Sequence, residues 1–329
     1  MAEIHPAQNV MLLGVAYWAA RCLHIVAELG VADVLEDEPE TAAGLAKKLG
    51  VNAGALHRVM RALTNHGIFE ITNGRFSHNA SSRLLREDAA GSMRSLVRLM
   101  GLKPHWDAYR ELDQSVKTGK PGIDFVVKGG LFGYLAEHPE VGRIFDEAMT
   151  GKSFSQIPPV IASYDFTSFK TIGDIGGGAG HLLYSVLDRA PQAKGVLFDL
   201  PEVIGRAKES ANARVTYVGG DFFKTPIPAC DAYMIMTVLH DWSDEEAAAI
   251  LRQVKKTAPA GARLVIIESV IKEGSQGDMG LDLDIEMLAM ATGRERTQEE
   301  WTQVLGAGGW RLSRVIPTGG WCGIIEGTL

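Results

Sequence analysis

The chain has 329 residues, 46% of them hydrophobic and 22% charged, and carries a formal net charge of -7. This is room for two domains with sizeable cores, in a composition ordinary for a soluble globular protein; the acidic balance excludes non-specific nucleic-acid binding by the chain as a whole while leaving room for one locally basic face. Cys22, Cys230 and Cys322 lie far apart with no CxxC pair, a usage that supports neither a disulfide framework nor a zinc site and points to a reducing compartment, the cytoplasm by default.

The first predicted element is an amphipathic helix from Val10 to Ala27. Arg21 and His24 interrupt its apolar run and Glu3 precedes it, so it reads as neither a membrane span nor a signal peptide. Its stripe of Leu12, Val15, Trp18, Ala19, Cys22 and Val26 is expected to be buried against a twofold partner. From Thr41, a plausible cap, two short helical periods flank the turn at Gly50, and the second ends at Gly67. "FEITNGRFSHN" then reads as two short strands joined at Asn73-Gly74. Helix, turn, helix and hairpin make a winged helix. Residues 42 to 86 hold seven Lys or Arg against Glu70 alone, which raises the reading of a DNA-binding regulator. The presumed second helix offers just Arg58 and Arg61 as long basic side chains, however, and a catalytic-looking domain follows, so a dimerisation module is favoured.

From about residue 168 the rhythm changes. "KTIGDIGGG", "KGVLFDL", "RVTYVGGDFF", "ACDAYMIMTVLHD" and "ARLVIIESVI" are short apolar runs alternating with helical stretches, which predicts a doubly wound α/β domain with a parallel sheet covered on both faces. "WRLSRVIP" and "WCGIIEGTL" are expected to add an antiparallel pair at the sheet's edge. In such sheets ligands sit at the carboxyl ends of the strands, near the switch in strand order.

"DIGGGAGHLL", from Asp174 to Leu183, follows a strand and opens a helix; Gly176, Gly177, Gly178 and Gly180 would let the backbone press against a ligand. A nicotinamide fingerprint G-x-G-x-x-G fails at Ala179, His181 or Leu183, depending on where it starts. Asp199, 25 residues after Asp174, suits a ribose diol, and "GGDFF" offers Asp221 and Phe222 at the next strand end. The plain alternative for any one such aspartate is a helix cap. The bland alternative for His240, in "MTVLHDWSDEE", is a satisfied turn histidine.

Together "FDEAM", "DIGGGAG", "FDLPEV", "GGDFF", "LHDWSDEE" and "GRERTQEEW" closely resemble the plant-type small-molecule O-methyltransferase family over nearly the whole chain. That resemblance implies S-adenosylmethionine as cofactor, leaving as S-adenosylhomocysteine, with no metal, and a small hydroxylated aromatic acceptor. It implies His240 as general base flanked by Glu268 and Glu295; for Glu295 the alternative is a surface ion pair with Arg294 or Arg296, and Asp241 caps a helix or helps hold the cofactor. It implies a cofactor site of Asp174, Gly176, Gly177, Gly178, Gly180, Asp199, Leu200, Asp221, Phe222, Met149, Ser153 and Thr237. Where plant enzymes often carry a lysine this chain has Met236, and Met290 and Ala291 replace a polar substrate contact. The acceptor wall is therefore expected to be apolar, from Trp106, Phe145, Met149, Met287 and Met290. The implied domains are a winged-helix dimerisation domain at 1–100, a helical linker contributing to the acceptor pocket at 101–167 and a catalytic domain at 168–329. A cytoplasmic homodimer touching neither nucleic acid nor membrane is expected; the alternatives are N-methylation or a non-methylating activity within the family.

Overall fold

The computed structural model describes residues 5–210 and 212–329. The chain divides into two compact units, one running to Trp106 and taking in His138–Lys152, the other made of Asp107–Glu137 and Ser153–Leu329. The stretch expected as a linker, 101–167, is thus shared out between the units, and the helix Pro139–Ser163 contributes to both.

In the first unit the local signals act as read. The Thr41 side chain accepts from Gly44 N at 3.1 Å to start the helix Ala42–Leu49, and Gly50 ends it in the left-handed conformation, φ 69°. Asn52, which the sequence reading passed over, caps the helix Ala53–Thr64 by accepting from Ala55 N at 2.9 Å. Strands β1 (Glu40–Thr41), β2 (Glu70–Thr72) and β3 (Arg75–Ser77) form an antiparallel sheet in the order β1-β3-β2. Asn73 and Gly74 both have positive φ, 52° and 77°, as the tight hairpin turn requires. Leu45, Met60 and Phe76 close the core. The N-terminal stripe is divided: Val26 is buried in this core and Cys22 packs on it, whereas Leu12 is 45% and Trp18 60% exposed.

The second unit carries β4 (Thr171–Ile175), β5 (Lys194–Asp199), β6 (Val215–Gly219), β7 (Ala232–Met236), β8 (Arg263–Glu268), β9 (Val270–Ile271), β10 (Arg296–Thr297), β11 (Arg311–Pro317) and β12 (Gly323–Thr328). Seven of them form one sheet in the order β11-β12-β8-β7-β4-β5-β6. Strands β4 to β8 are parallel and β12 and β11 add the expected antiparallel edge. β9 and β10 pair in parallel in a separate small sheet. Ala232, Tyr233, Met234 and Ile235 are all fully buried, because helices cover both faces of β7; this is why its sequence is a continuous apolar run. The chain proceeds β4 to β5 to β6 on one side, then returns to place β7 on the other side of β4. The switch point therefore lies between the loop after β4 and the loop after β7, the two segments that carry the glycines and His240.

Candidate active site

From Ile175 the chain turns through the glycines into the helix His181–Arg189. Gly176, Gly178 and Gly180 have φ of 70°, 57° and 83°, a conformation that costs other residues about 1–2 kcal/mol. Gly177 is required for a steric reason: a Cβ there would lie 2.5 Å from Asp174 Cγ and 2.6 Å from Leu197 Cδ1. At Gly178 nothing lies within 4 Å of the same position, so the outer side of the loop is open to a ligand. The Asp199 carboxylate accepts from Gly178 N at 2.8 Å and from Leu200 N at 2.7 Å. A carboxylate held by two backbone N–H groups at this strand end has the acceptor chemistry that a vicinal diol needs.

Two of the residues expected to hold the cofactor have partners within the protein or lie under the loop. Asp174 is 1% exposed and lies beneath the loop, where burial, reinforced by the Asp199 charge, pushes its carboxyl up to about 7. It shapes the loop from below. Asp221 closes its own turn: Oδ1 accepts from Phe223 N at 2.8 Å and Oδ2 pairs with Lys224 Nζ at 2.8 Å, a bond that holds the carboxyl below the usual carboxylate range. Phe222 stands edge-on to Trp242, centroids 5.8 Å apart, and Phe132 stacks on the same indole at 6.1 Å. Trp242 thus links the expected aromatic face to the turn that bears His240, a connection no spacing signal announced.

After β7, Thr237 adopts φ 49°, strained for a β-branched residue, and leads into the 3-10 turn Leu239–Asp241. His240, Glu268 and Glu295 are all buried. Glu295 Oε1 lies 2.6 Å from His240 Nδ1, and Glu268 Oε2 is 3.7 Å from the same nitrogen. A carboxylate can only accept, so Nδ1 is the nitrogen that donates to Glu295. Glu268 Oε1 is used otherwise, accepting from Val238 N and Leu239 N at 2.9 Å each. Glu268 Oε2 and Glu295 Oε2 are buried with no hydrogen-bond partner among the described residues. Two carboxylates facing one imidazole form a site built to stabilise imidazolium. Burial pushes the Glu268 carboxyl up to about 7; the His240 charge opposes this and the Glu295 charge adds to it. The surface ion pair considered for Glu295 is overturned, since its side chain is fully buried. Asp241 is no cap either: Ser243 caps the next helix in a reciprocal box with Glu246, and Asp241 Oδ1 lies 3.6 Å from His240 Nε2.

With this geometry in place the kinship of the chain is decided by its match to two family models, an O-methyltransferase domain over residues 109–311 and an O-methyltransferase dimerisation domain over 11–88. The chain belongs to the O-methyltransferase family. It is 37% identical to phenazine O-methyltransferase PhzM of Lysobacter antibioticus, over 98% of this chain and 96% of that one. It is 34% identical to the mitomycin biosynthesis 6-O-methyltransferase of Streptomyces lavendulae, covering 92% and 88%. It is also 34% identical to the 8-amino-8-demethylriboflavin N,N-dimethyltransferase of Streptomyces davaonensis, covering 97% and 94%. Among solved structures, LaPhzM matches with a TM-score of 0.93 at 35% identity over 99% of each chain. CalO1, a methyltransferase of calicheamicin biosynthesis solved with S-adenosylhomocysteine, matches with 0.87 at 30% over 99% of each. NcsB1, solved with S-adenosylmethionine and 2-hydroxy-5-methyl naphthoic acid, matches with 0.79 at 27%, covering 94% and 96%.

The remaining residues expected of an O-methyltransferase site fall in different places. Trp106 belongs to the first unit, where its indole donates to His24 Nδ1 at 3.3 Å and lies under the Arg21 guanidinium. Phe145 and Met149 pack there against Leu99, Ile144 and Ala148. Ser153 and Met287 belong to the second unit, Ser153 partly exposed and Met287 buried. Met290 is buried, packed with Ala108, Ile123 and Ala289.

Proposed function

We propose that this methyltransferase carries a methyl group from S-adenosylmethionine to a hydroxyl, phenolic in the first instance, of a small aromatic molecule, with His240 as general base. The observation that carries the reading is the buried 2.6 Å bond between His240 Nδ1 and Glu295 Oε1. A phenol with pKa near 10 is a poor nucleophile at neutral pH, and a neutral imidazole within reach accelerates its reaction by roughly a hundred- to ten-thousandfold. Glu295 fixes the tautomer that leaves Nε2 basic, and as Nε2 takes the acceptor's proton the two buried glutamates stabilise the imidazolium. The cofactor supplies an electrophilic methyl group on its sulfonium. The open backbone of Gly176–Gly180 and the Asp199 carboxylate fit such a nucleoside, with Leu200, Phe222, Thr237 and Ser153, all of the same unit, completing the holding set. The acceptor is aromatic, as the naphthoic acid named with NcsB1 is. No step calls for a metal.

A second reading is favoured by the riboflavin N,N-dimethyltransferase relative, in which the acceptor is an amine. One experiment separates the two: incubation with S-adenosylmethionine and a panel of phenols, hydroxynaphthoates and aryl amines, scored for one added methyl by mass spectrometry. Phenol products from the native enzyme, lost at least about a hundredfold in His240→Ala, support the proposal. Amine products alone, or near-native phenol turnover by His240→Ala, would overturn it.

The enzyme acts as a cytoplasmic homodimer in this reading. The segment Pro6–Glu28 is long and apolar enough to cross a membrane, and little of it is buried in its own unit. Val10, Met11, Leu13, Tyr17 and Trp18 are each more than half exposed, and the dimerisation-domain match begins at residue 11. A second copy of this chain covers that face, since a twofold axis presents the same helix to itself.

A further inference from the structure

The His240 turn is held at its backbone as firmly as at its ring, and the residue that does most of this enters the sequence analysis only as a possible ion-pair partner of Glu295. Arg296, on β10, is fully buried. Its Nε donates to Asp244 Oδ1 at 2.8 Å, its Nη2 to the Trp242 carbonyl at 2.8 Å, and its Nη1 to the Leu239 carbonyl at 3.0 Å and the Arg294 carbonyl at 3.4 Å. The guanidinium carbon lies 5.1 Å from the centroid of the Trp301 ring, whose π face favours the cation. Leu239 and Trp242 bracket His240 and Asp241, so one rigid planar fork grips the carbonyls on both sides of the imidazole-bearing residue. From the other end Glu268 takes the N–H groups of Val238 and Leu239. Gly293 closes in as well: a Cβ there would lie 1.9 Å from the His240 carbonyl oxygen. The neighbouring Arg294 instead pairs with Glu300, partly exposed. Burying a guanidinium is costly unless its donors are matched, and here they are matched to the turn that carries the base.

We infer that Arg296 is a positioning residue for His240: it sets the backbone of Leu239–Trp242 so that the ring meets Glu295 through Nδ1 and presents Nε2. This rests on the reading of His240 as the base. Displacing a reacting group by 1 Å costs on the order of a hundredfold in rate, and lysine, a point charge with no fork, cannot hold all these acceptors in one geometry.

The test uses the full chain saturated with S-adenosylhomocysteine and labelled in its histidine ring nitrogens. In the native protein the His240 Nδ1 proton should resonate far downfield, as expected for a short charge-assisted bond, and be absent in His240→Ala. Arg296→Gln should move it upfield or broaden it away while S-adenosylhomocysteine affinity is retained, and Arg296→Lys should restore it in part. With the phenol methylated fastest in the panel above, Arg296→Gln should lower kcat on the order of a hundredfold and should slow His240→Ala no further, because it acts through the ring. An unmoved resonance and kcat in an Arg296→Gln protein that binds S-adenosylhomocysteine would overturn the inference, as would an undiminished effect in the His240→Ala background. If the Arg296 variants do not fold, Asp244→Ala, which removes the acceptor of Nε on a half-exposed side chain, carries the test with the same two outcomes. Failure of the base reading shows separately, as native turnover by His240→Ala, and leaves the resonance to decide whether Arg296 holds the ring.

Discussion

At the scale of single residues, the site separates two glutamates that look alike in the sequence. Glu295 binds the ring and Glu268 binds the backbone of the turn, so their loss should differ in kind. Glu295→Gln leaves an amide that no longer enforces the Nδ1–H tautomer, and we expect kcat to fall on the order of a hundredfold or more with the KM for S-adenosylmethionine unmoved; a matching rise in KM would place Glu295 in cofactor binding instead. Buried acids also write themselves into stability. Folded Asp174 keeps its proton up to about 7, whereas in the unfolded chain it loses it near the ordinary 3.8, so between these values the native state binds more protons. Its contribution to stability is therefore present below about pH 4 and lost as the pH rises through 7. His24 works in the opposite sense: burial, with the Arg21 and His105 charges, lowers it to about 4, so its contribution is present above 6.5 and lost as the pH falls through 4. Melting temperatures of Asp174→Asn and of the native protein, compared across this range, isolate the first term. The variant should gain on the native protein from pH 4 to 7 and hold a constant lead above it; a lead independent of pH would mean that Asp174 is ionised throughout.

At the scale of elements, what matters is how closely the loops after β4 and β7 approach each other. A Cβ on Gly176 would lie 2.9 Å from Val238 Cγ2, so the glycine loop rests directly on the turn before His240. Gly177 is hemmed in by the side chains of Asp174 and Leu197, both on strands of the sheet. Gly177→Ala should therefore push the loop outward and abolish S-adenosylhomocysteine binding by calorimetry, with a lowered melting temperature; Gly205→Ala, where nothing lies within 4 Å, serves as the control and should bind normally. Native affinity in Gly177→Ala would show that the loop has room that these distances deny.

At the scale of the whole molecule, the exposed apolar helix Pro6–Val15 has no buried residue of its own. A chain that left Val10, Leu13 and Trp18 in water would aggregate or associate, and a defined dimer is the outcome expected of a surface that meets its own copy. Light scattering should give twice the mass of one chain at micromolar concentration, and removing residues 1–100 should yield a monomeric or poorly soluble fragment without methyl transfer. A monodisperse native monomer would contradict the dimer, recovery with the membrane fraction would point to the other use of such a helix, and tight sequence-specific duplex binding would restore the regulator reading.

Much of this protein is legible in its sequence. Thr41, Gly50 and Asn73-Gly74 act through atoms two to four residues away, and the apolar runs of β4 to β8 report a sheet covered on both faces; these are local or periodic signals that a linear string preserves. The order of glycines after Asp174 was legible for the same reason. Which of the two glutamates holds the ring was not, because Glu295 reaches His240 across 55 residues and no periodicity relates them. Nor could spacing show that Arg296 is buried while Arg294 is not, that Asp174 lies beneath its loop, or that Met290 is core. Burial and partner choice are set by which segments the fold stacks on a side chain, and for charged groups that stacking decides between a solvated surface and a matched, desolvated site.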